Sequence, residues 1–483
     1  MISFFLSLVA LILGYLFYGR FVERVFAPDS RLTPAVAKAD GLDYIVLPGW
    51  KIFMIQFLNI AGTGPIFGAI MGAKFGPVSY LWIVFGCIFA GATHDYLSGM
   101  LSMRHDGAGL PEMIGHYLGK TTKNAMLVFT VLLLIMVGAV FVYSPAVILH
   151  TIGGDIMMWV VIIFCYYFIA TMLPINKIIG RVYPLFAFSL LFMAGALMVW
   201  LVLHWPSLPE LWSHCYNMGA ATEPDKWTDG IFPALFITVA CGAISGFHAT
   251  QSPLMARCVK SEHMGRPLFY GSMITEGAVA LIWATVSAWF FYGEPTPGYQ
   301  LIEAATGGYH TSAPAVVNLV CNDWLGVAGA VLAMLGVVAA PITTGDTALR
   351  SARLIVAEWL KIDQRPILKR LLVCVPLFAY SIALLIWQID NPDGFNILWQ
   401  YFAWYNQALS VFTLWTITVY LVRQKKNYWI TLIPALFMTT VCSTYAFVSK
   451  HMFYLPETVG YSLGIVCLAV ACVWFAMWYK EYA

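Results

Sequence analysis

Charge is scarce in this sequence. Asp, Glu, Lys and Arg make up 10% of its 483 residues, whereas 60% are hydrophobic; an ordinary soluble domain carries roughly 25% charged residues. No water-facing fold hides that much apolar surface, which excludes a soluble globular protein. An excess of one sign is missing too: 26 basic residues meet 24 acidic ones, leaving no basic face for nucleic acid. The ten cysteines show no CxxC spacing. Cys87, Cys165, Cys241, Cys374, Cys467 and Cys472 lie inside apolar runs and read as packing residues. Cys215 and Cys321 fall in predicted outer loops and are expected as free thiols. With neither an HExxH motif nor a Walker A loop, nothing points to zinc-protease chemistry or ATP hydrolysis.

Long apolar runs are what the chain does have. A bilayer core of roughly 30 Å takes about 20 largely apolar residues as a helix, because lipid offers no partner to an open backbone N–H or C=O. By that measure the sequence predicts thirteen spans, at 2–18, 50–73, 78–103, 124–147, 156–172, 184–204, 231–257, 266–292, 324–349, 371–389, 395–421, 428–447 and 457–478. The first lacks a basic stretch before it and a small-residue cleavage site after it, so it is expected to be an anchor and not a cleaved signal. Amphipathic stretches at Leu110 to Leu118 and Ala352 to Ile362 are expected along the membrane surface.

Cytoplasmic loops carry the excess of Lys and Arg. Loops after the odd-numbered spans, short of the last, hold 22 of the 26 basic residues, those after even-numbered spans hold 3, and Lys480 follows the last span. An error in the span count would scramble that alternation. It predicts an N-terminus outside and a C-terminus in the cytoplasm.

Two spans are ill suited to an unbroken helix. Span 2 has Ala61-Gly62-Thr63-Gly64-Pro65 at its centre, where Thr63 can cap a second half-helix and Pro65 fits its first turn. Span 7 spreads Gly242, Ser245, Gly246 and Pro253 through its middle. Half-helix N-termini favour anions and C-terminal carbonyls favour cations; small residues also serve close helix packing. Asp95 follows Gly64 by 31 residues and Glu276 follows Gly246 by 30. Spans 2 to 6 and 7 to 11 therefore read as two five-helix units of inverted topology.

An ionisable residue inside a span is costly and normally faces the bundle interior or a water-filled path. Asp95 beside His94, Glu276 and Asp346 are the candidates for ion or proton coupling. For Asp95 a static pair with Arg104 or a broken-helix N–H is the equal alternative. Thr343 and Thr344 beside Asp346, with the opened carbonyl at Ala61, would suit a sodium ion; hydroxyls in membrane helices also bond back to their own turn. Candidates for substrate binding are Gly62, Thr63, Gly64, Ser245, Gly246, His248, Asn406 and Gln407, the last two in the polar and aromatic stretch Gln400 to Gln407 of span 11. A lone membrane His such as His248 is more often a packing partner.

The sequence resembles the carbon starvation protein A family of bacterial inner-membrane transporters. Matching pieces include Gly14-Tyr15, Tyr18-Gly19-Arg20-Phe21, Arg31-Leu32-Thr33-Pro34-Ala35, Asp40-Gly41-Leu42-Asp43-Tyr44, Ala61-Gly62-x-Gly64-Pro65, Gly91-Ala92-x-His94-Asp95 and Arg104-His105. Ala243-Ile244-Ser245-Gly246-Phe247-His248-Ala249, Asp346-Thr347-Ala348 with Arg350, and Asn406-Gln407 continue the match. Thr93 and Gln251 to Pro253 depart from the family's forms, which leaves substrate preference open. The resemblance implies peptide or pyruvate uptake and a LeuT/APC-like inverted-repeat core.

The expected fold is therefore an all-α polytopic membrane protein of about thirteen transmembrane helices: an extra helix at 1–18, five-helix repeats at 50–204 (broken near 61–65) and 231–421 (broken near 243–248), and two helices at 428–478. The expected function is secondary active import of a small carboxylate-bearing nutrient, peptide or pyruvate, coupled to a proton or sodium gradient under carbon starvation. It is not expected to be an enzyme; the competing readings are an intramembrane hydrolase using Ser245 and a channel. No cofactor is expected beyond a sodium ion, and the number of assembled chains stays open. A green fluorescent protein fused to the C-terminus should fluoresce while a phosphatase fused there stays inactive. The reverse pattern would overturn the orientation.

Overall fold

The computed structural model describes residues 1–40, 44–150, 153–172, 179–222, 230–295, 297–298, 313–364, 366–391 and 394–482. Gly41, Leu42 and Asp43 of the family motifs, and the basic loop residues Lys177, Lys226 and Arg365, lie outside them. Among the described residues the fold is helical, with a single β-bridge between Ser207 and Glu294.

The helices are α1 (Ile2–Phe26), α2 (Gly49–Ala61), α3 (Gly64–Ala73), α4 (Val78–Arg104), α5 (Leu110–Tyr117), α6 (Lys120–His150), α7 (Ile156–Met172) and α8 (Ile179–His204). A stretch α9 follows as Ile231–Leu235 continued by Phe236–Thr238, then α10 (His248–Ala256), α11 (Glu262–Tyr292) and α12 (Ala313–Trp359). The last four are α13 (Ile367–Asp390), α14 (Gly394–Arg423), α15 (Trp429–Val448) and α16 (Glu457–Tyr482). Among the described residues eight helices are long and apolar enough to cross a membrane singly, and the bent pair α2/α3 makes a ninth. The other four predicted crossings fall on α7, which has 17 residues, the interrupted α9/α10, α12 and α14.

Leu203, Leu368 and Met477 are 74%, 80% and 68% exposed. Large side chains displayed in that way would drive aggregation in water; in a bilayer they meet lipid tails. Polar groups turn inward, as membrane burial requires.

α12 packs along α6 and α8, and α6 also meets α7, α13 and α14. α11 packs against α1, both halves of the broken pair α2/α3 and α4, while α4 runs along α10. The interrupted segments therefore sit in the middle of the molecule. Ala352 to Ile362, expected as a separate surface piece, instead largely continues α12 as far as Trp359. No glycine or proline after Gly345 interrupts it, and Arg350 is held inside by the Ala170 carbonyl at 2.5 Å.

The bend of 51° between α2 and α3 turns on Gly62, whose φ of 47° and ψ of −135° admit almost only glycine. Gly246 is required for closeness. A Cβ there would collide with the Ser410 amide nitrogen and come within 2.5 Å of the Asn406 carbonyl oxygen, both backbone atoms of α14. Gly246→Ala should cost about 3 kcal/mol through overpacking, read as a lower melting temperature in detergent. Gly195→Ala, where a Cβ meets nothing within 4 Å, should melt like the parent. Equal melting of both variants would refute the close approach.

Candidate functional site

Midway along α4 the backbone opens into wide π-type turns from Trp82 to Gly91, and the regular helix resumes at Ala92. Such wide turns often accompany functional sites. Here they deliver His94 and Asp95 into a wholly buried position. Asp95 Oδ1 lies 2.8 Å from His94 Nδ1, and its Oδ2 lies 2.8 Å from His248 Nδ1 on the first residue of α10. His248 Nε2 in turn faces Glu276 Oε2 of α11 at 3.5 Å. A chain of four titratable groups thus runs His94, Asp95, His248, Glu276 across three helices, each fully shielded from solvent.

Electrostatics constrains this chain. An ionised Asp95 accepts from both Nδ1–H groups, which leaves each Nε2 as either a bare lone pair or a second N–H. Both Nε2 atoms and both Glu276 oxygens lack a hydrogen-bond partner among the described residues. Two buried carboxylates without positive charge would be prohibitively unfavourable. The electrostatic cost falls if a proton or a cation is held among these groups.

The second interruption, residues 239–247, is stitched to α14 by Asn406. Its Oδ1 accepts from Ser245 Oγ at 3.0 Å and from the Phe247 amide at 2.8 Å, its backbone oxygen accepts from the Gly246 amide at 3.1 Å, and its Nδ2 donates to Cys241 Sγ at 3.5 Å. Ser245 and Asn406, both expected to face substrate, are thus engaged with each other. Gln407 donates to the Phe236 carbonyl at 3.2 Å, and its Oε1 is buried without a partner among the described residues.

At the first interruption the Thr63 side chain makes no capping bond and its buried hydroxyl has no partner among the described residues; the Thr63 carbonyl instead accepts from the Ile66 and Phe67 amides at 3.1 and 2.8 Å. Gly64 lies so close to Cys241 that a Cβ would collide with its side chain, so the two interruptions touch. Ala61 ends α2, and Thr344 Oγ1, also unpartnered among the described residues, sits 3.3 Å from where a Gly62 Cβ would be. Thr343 bonds back to Ala340 at 2.9 Å. Asp346 stands in a separate group with Arg350 and Tyr183, each at 3.4 Å.

Arg104, one proposed holder of Asp95, pairs instead with Glu262 at 3.0 Å and reaches the Ala27 carbonyl and the Tyr420 hydroxyl. The Asp29 amide also donates to Glu262, at 3.0 Å. On the surface nearby, the Arg31 guanidinium bonds to Asp29 and holds its carboxyl below the usual carboxylate range. Cys215 is exposed and Cys321 buried, both free thiols. Sequence reasoning missed Cys241, read as packing, and Gln56 and Asn59 on α2, buried with side-chain atoms that are unpaired among the described residues. Gln and Asn just before a Gly-Thr-Gly-Pro break were the available signal.

The family model described as carbon starvation protein CstA matches residues 1–153, 142–327 and 299–446. The chain belongs to the carbon starvation protein CstA family. An uncharacterized membrane protein of Haemophilus influenzae is 43% identical over 60% of this chain and 91% of its own. The peptide transporter CstA of Campylobacter jejuni is 28% identical over 92% of this chain and 79% of its own, and the pyruvate/proton symporter BtsT of Escherichia coli is 25% identical over 94% and 82%. Among solved structures, a manganese transporter of Eremococcus coleocola is similar in fold at a TM-score of 0.58 and 13% identity, covering 92% of this chain and 99% of that one. A Na+-coupled sialic acid symporter is similar at a TM-score of 0.53 and 13% identity, covering 98% and 97%. These neighbours are transporters, and the membrane character of this CstA-family chain accords with them.

Asn406→Ala removes the acceptor of the Phe247 amide and the Ser245 hydroxyl at one stroke. Leaving those groups buried and unpaired should cost about 2 to 3 kcal/mol, and the interrupted segment should exchange its amide hydrogens faster than the rest of the bundle. Unaltered exchange at residues 239–247 would remove Asn406 from that role.

Proposed function

We propose that this protein is a secondary active importer that takes up a small carboxylate-bearing nutrient, pyruvate or a short peptide, by alternating access, driven by a proton gradient. The observation that carries the reading is the dry chain His94–Asp95–His248–Glu276, because it joins an interrupted helix to two continuous ones. A proton arriving there changes the charge of groups that bridge separate helices, and so biases their packing. The names of the relatives, peptide transporters and a pyruvate/proton symporter, support the substrate class and the coupling ion.

The substrate carboxylate is assigned to the contact of the two interruptions, where the α3 N-terminus favours an anion and where Gln56, Asn59, Thr63 and Gln407 hold unpaired polar atoms. Thr344 beside Gly62 gives sodium a second reading, through hard oxygen ligands at the end of α2. In this proposal the chain crosses a bacterial inner membrane thirteen times, N-terminus outside, with α2 to α8 and α9 to α14 as inverted five-span units. It serves uptake under carbon starvation. The Arg104–Glu262 pair, tying α4, α11, α14 and the segment after α1, closes the cytoplasmic side. The hydrolase reading loses its nucleophile, since the Ser245 hydroxyl is committed to Asn406.

Proteoliposomes should accumulate labelled pyruvate or a dipeptide above equilibrium when given an inward proton gradient, which also separates a carrier from a channel. Glu276→Gln and Asp95→Asn should each lower gradient-driven uptake at least about tenfold, equivalent to about 1.4 kcal/mol, while substrate exchange persists. Asp346→Asn should leave the proton requirement in place. Undiminished proton-driven uptake in both Glu276→Gln and Asp95→Asn would sink the coupling assignment, and sodium-driven uptake without a proton gradient would favour the second reading.

A further inference from the structure

We propose that Cys241, His248 and Glu276 form a binding site for a divalent transition-metal ion of borderline softness, of which Zn2+ is the type. One donor atom from each, a sulfur, an imidazole nitrogen and a carboxylate oxygen, lies within 4.8 Å of the others, and all three residues are buried. Thiolate, imidazole and carboxylate together are the donor set of zinc, with metal–ligand distances of about 2.0 to 2.3 Å. Donors around one tetrahedral ion stand about 3.3 to 3.7 Å apart at those distances. His248 Nε2 and Glu276 Oε2 already stand 3.5 Å apart, within that range.

Three independent features point to an occupant. Both Glu276 oxygens and His248 Nε2 are fully buried without hydrogen-bond partners among the described residues, although Oε2 and Nε2 face each other at 3.5 Å. Asp95 grips His248 Nδ1 at 2.8 Å, the arrangement by which a carboxylate fixes a metal-binding imidazole so that its remaining nitrogen points at the ion. The Asn406 side-chain amide donates to Cys241 Sγ at 3.5 Å, and the sulfur lies 3.7 Å from Ser245 Oγ, contacts that hold it beside His248 and Glu276. A dication offsets the charge of one thiolate and one carboxylate, and Asp95 beside His248 adds one further negative charge that attracts it. Three protein donors leave the fourth tetrahedral position open to water or to a carboxylate oxygen.

The geometry assigns a consequence. Cys241 lies within the second interruption and His248 begins the helix after it, whereas Glu276 belongs to the continuous α11. An ion bound to all three ties the interrupted segment to α11 and arrests its movement, so that the metal inhibits uptake. That consequence rests on the transport reading above; metal binding itself does not.

The test uses the full-length protein in detergent, stripped with a chelator and titrated with Co2+. Expected are a near-ultraviolet thiolate-to-cobalt charge-transfer band saturating at one ion per chain, and its loss on adding Zn2+. Cys241→Ser should abolish the band, Cys442→Ser should keep it, and Glu276→Gln and Asp95→Asn should weaken Co2+ affinity about tenfold or more. Absence of the band in the folded parent, or its survival in Cys241→Ser, would overturn the site. Should Cys241→Ser fail to fold, Glu276→Gln decides, and an unchanged affinity there refutes the proposal. Co2+ binding without any carboxylate uptake would keep the site and remove the transport reading; uptake without Co2+ binding would do the opposite.

Discussion

Asp95 is held between two imidazoles, His94 on its own helix and His248 at the start of α10, in a place that water does not reach. Much of the surrounding architecture follows from keeping that grip possible. A carboxylate so deep needs donors on both oxygens, and the donors must come from backbone that is free to approach it. The wide turns of α4 and the interruption before α10 supply that freedom. Glu276, facing the far side of His248 from α11, makes the arrangement sensitive to charge, because its own oxygens are left without hydrogen bonds among the described residues.

The interruptions are costly in lipid, since opened backbone groups find no partners there. Each is satisfied locally. The Thr63 carbonyl takes two amides of the next turn, and Asn406 takes the Phe247 and Gly246 amides from across the helix interface. Close contact between Gly64 and Cys241 brings the two openings together. Polar atoms without partners therefore collect in one region of an otherwise apolar interior, and such a region is where a polar solute or ion finds compensation that lipid denies it. Asp346 does not join it, because Arg350 and Tyr183 occupy its carboxylate.

A good deal of this was legible in the residues themselves. The membrane setting follows from composition, and the opening in the α2/α3 pair follows from Gly62 and Pro65, whose backbone preferences are intrinsic. The interior ionisable groups were visible as costly exceptions. Their partners were not. Arg104 lies nine residues after Asp95 on the same helix, yet it pairs with Glu262, 158 positions away. Ser245 and Asn406 looked available for substrate and are bound to each other. Cys241 looked like packing and stands beside His248 and Glu276.

By itself, then, the sequence determined the solvent the chain inhabits and the two places, after Ala61 and before His248, where a span is interrupted, since these depend on residue polarity and on the φ and ψ preferences of neighbours. Only the tertiary structure decided which charges meet. Pairing between His248 on α10, Asp95 on α4 and Glu276 on α11 depends on helix contacts between residues far apart in sequence. No local preference encodes such distances; packing in three dimensions fixes them.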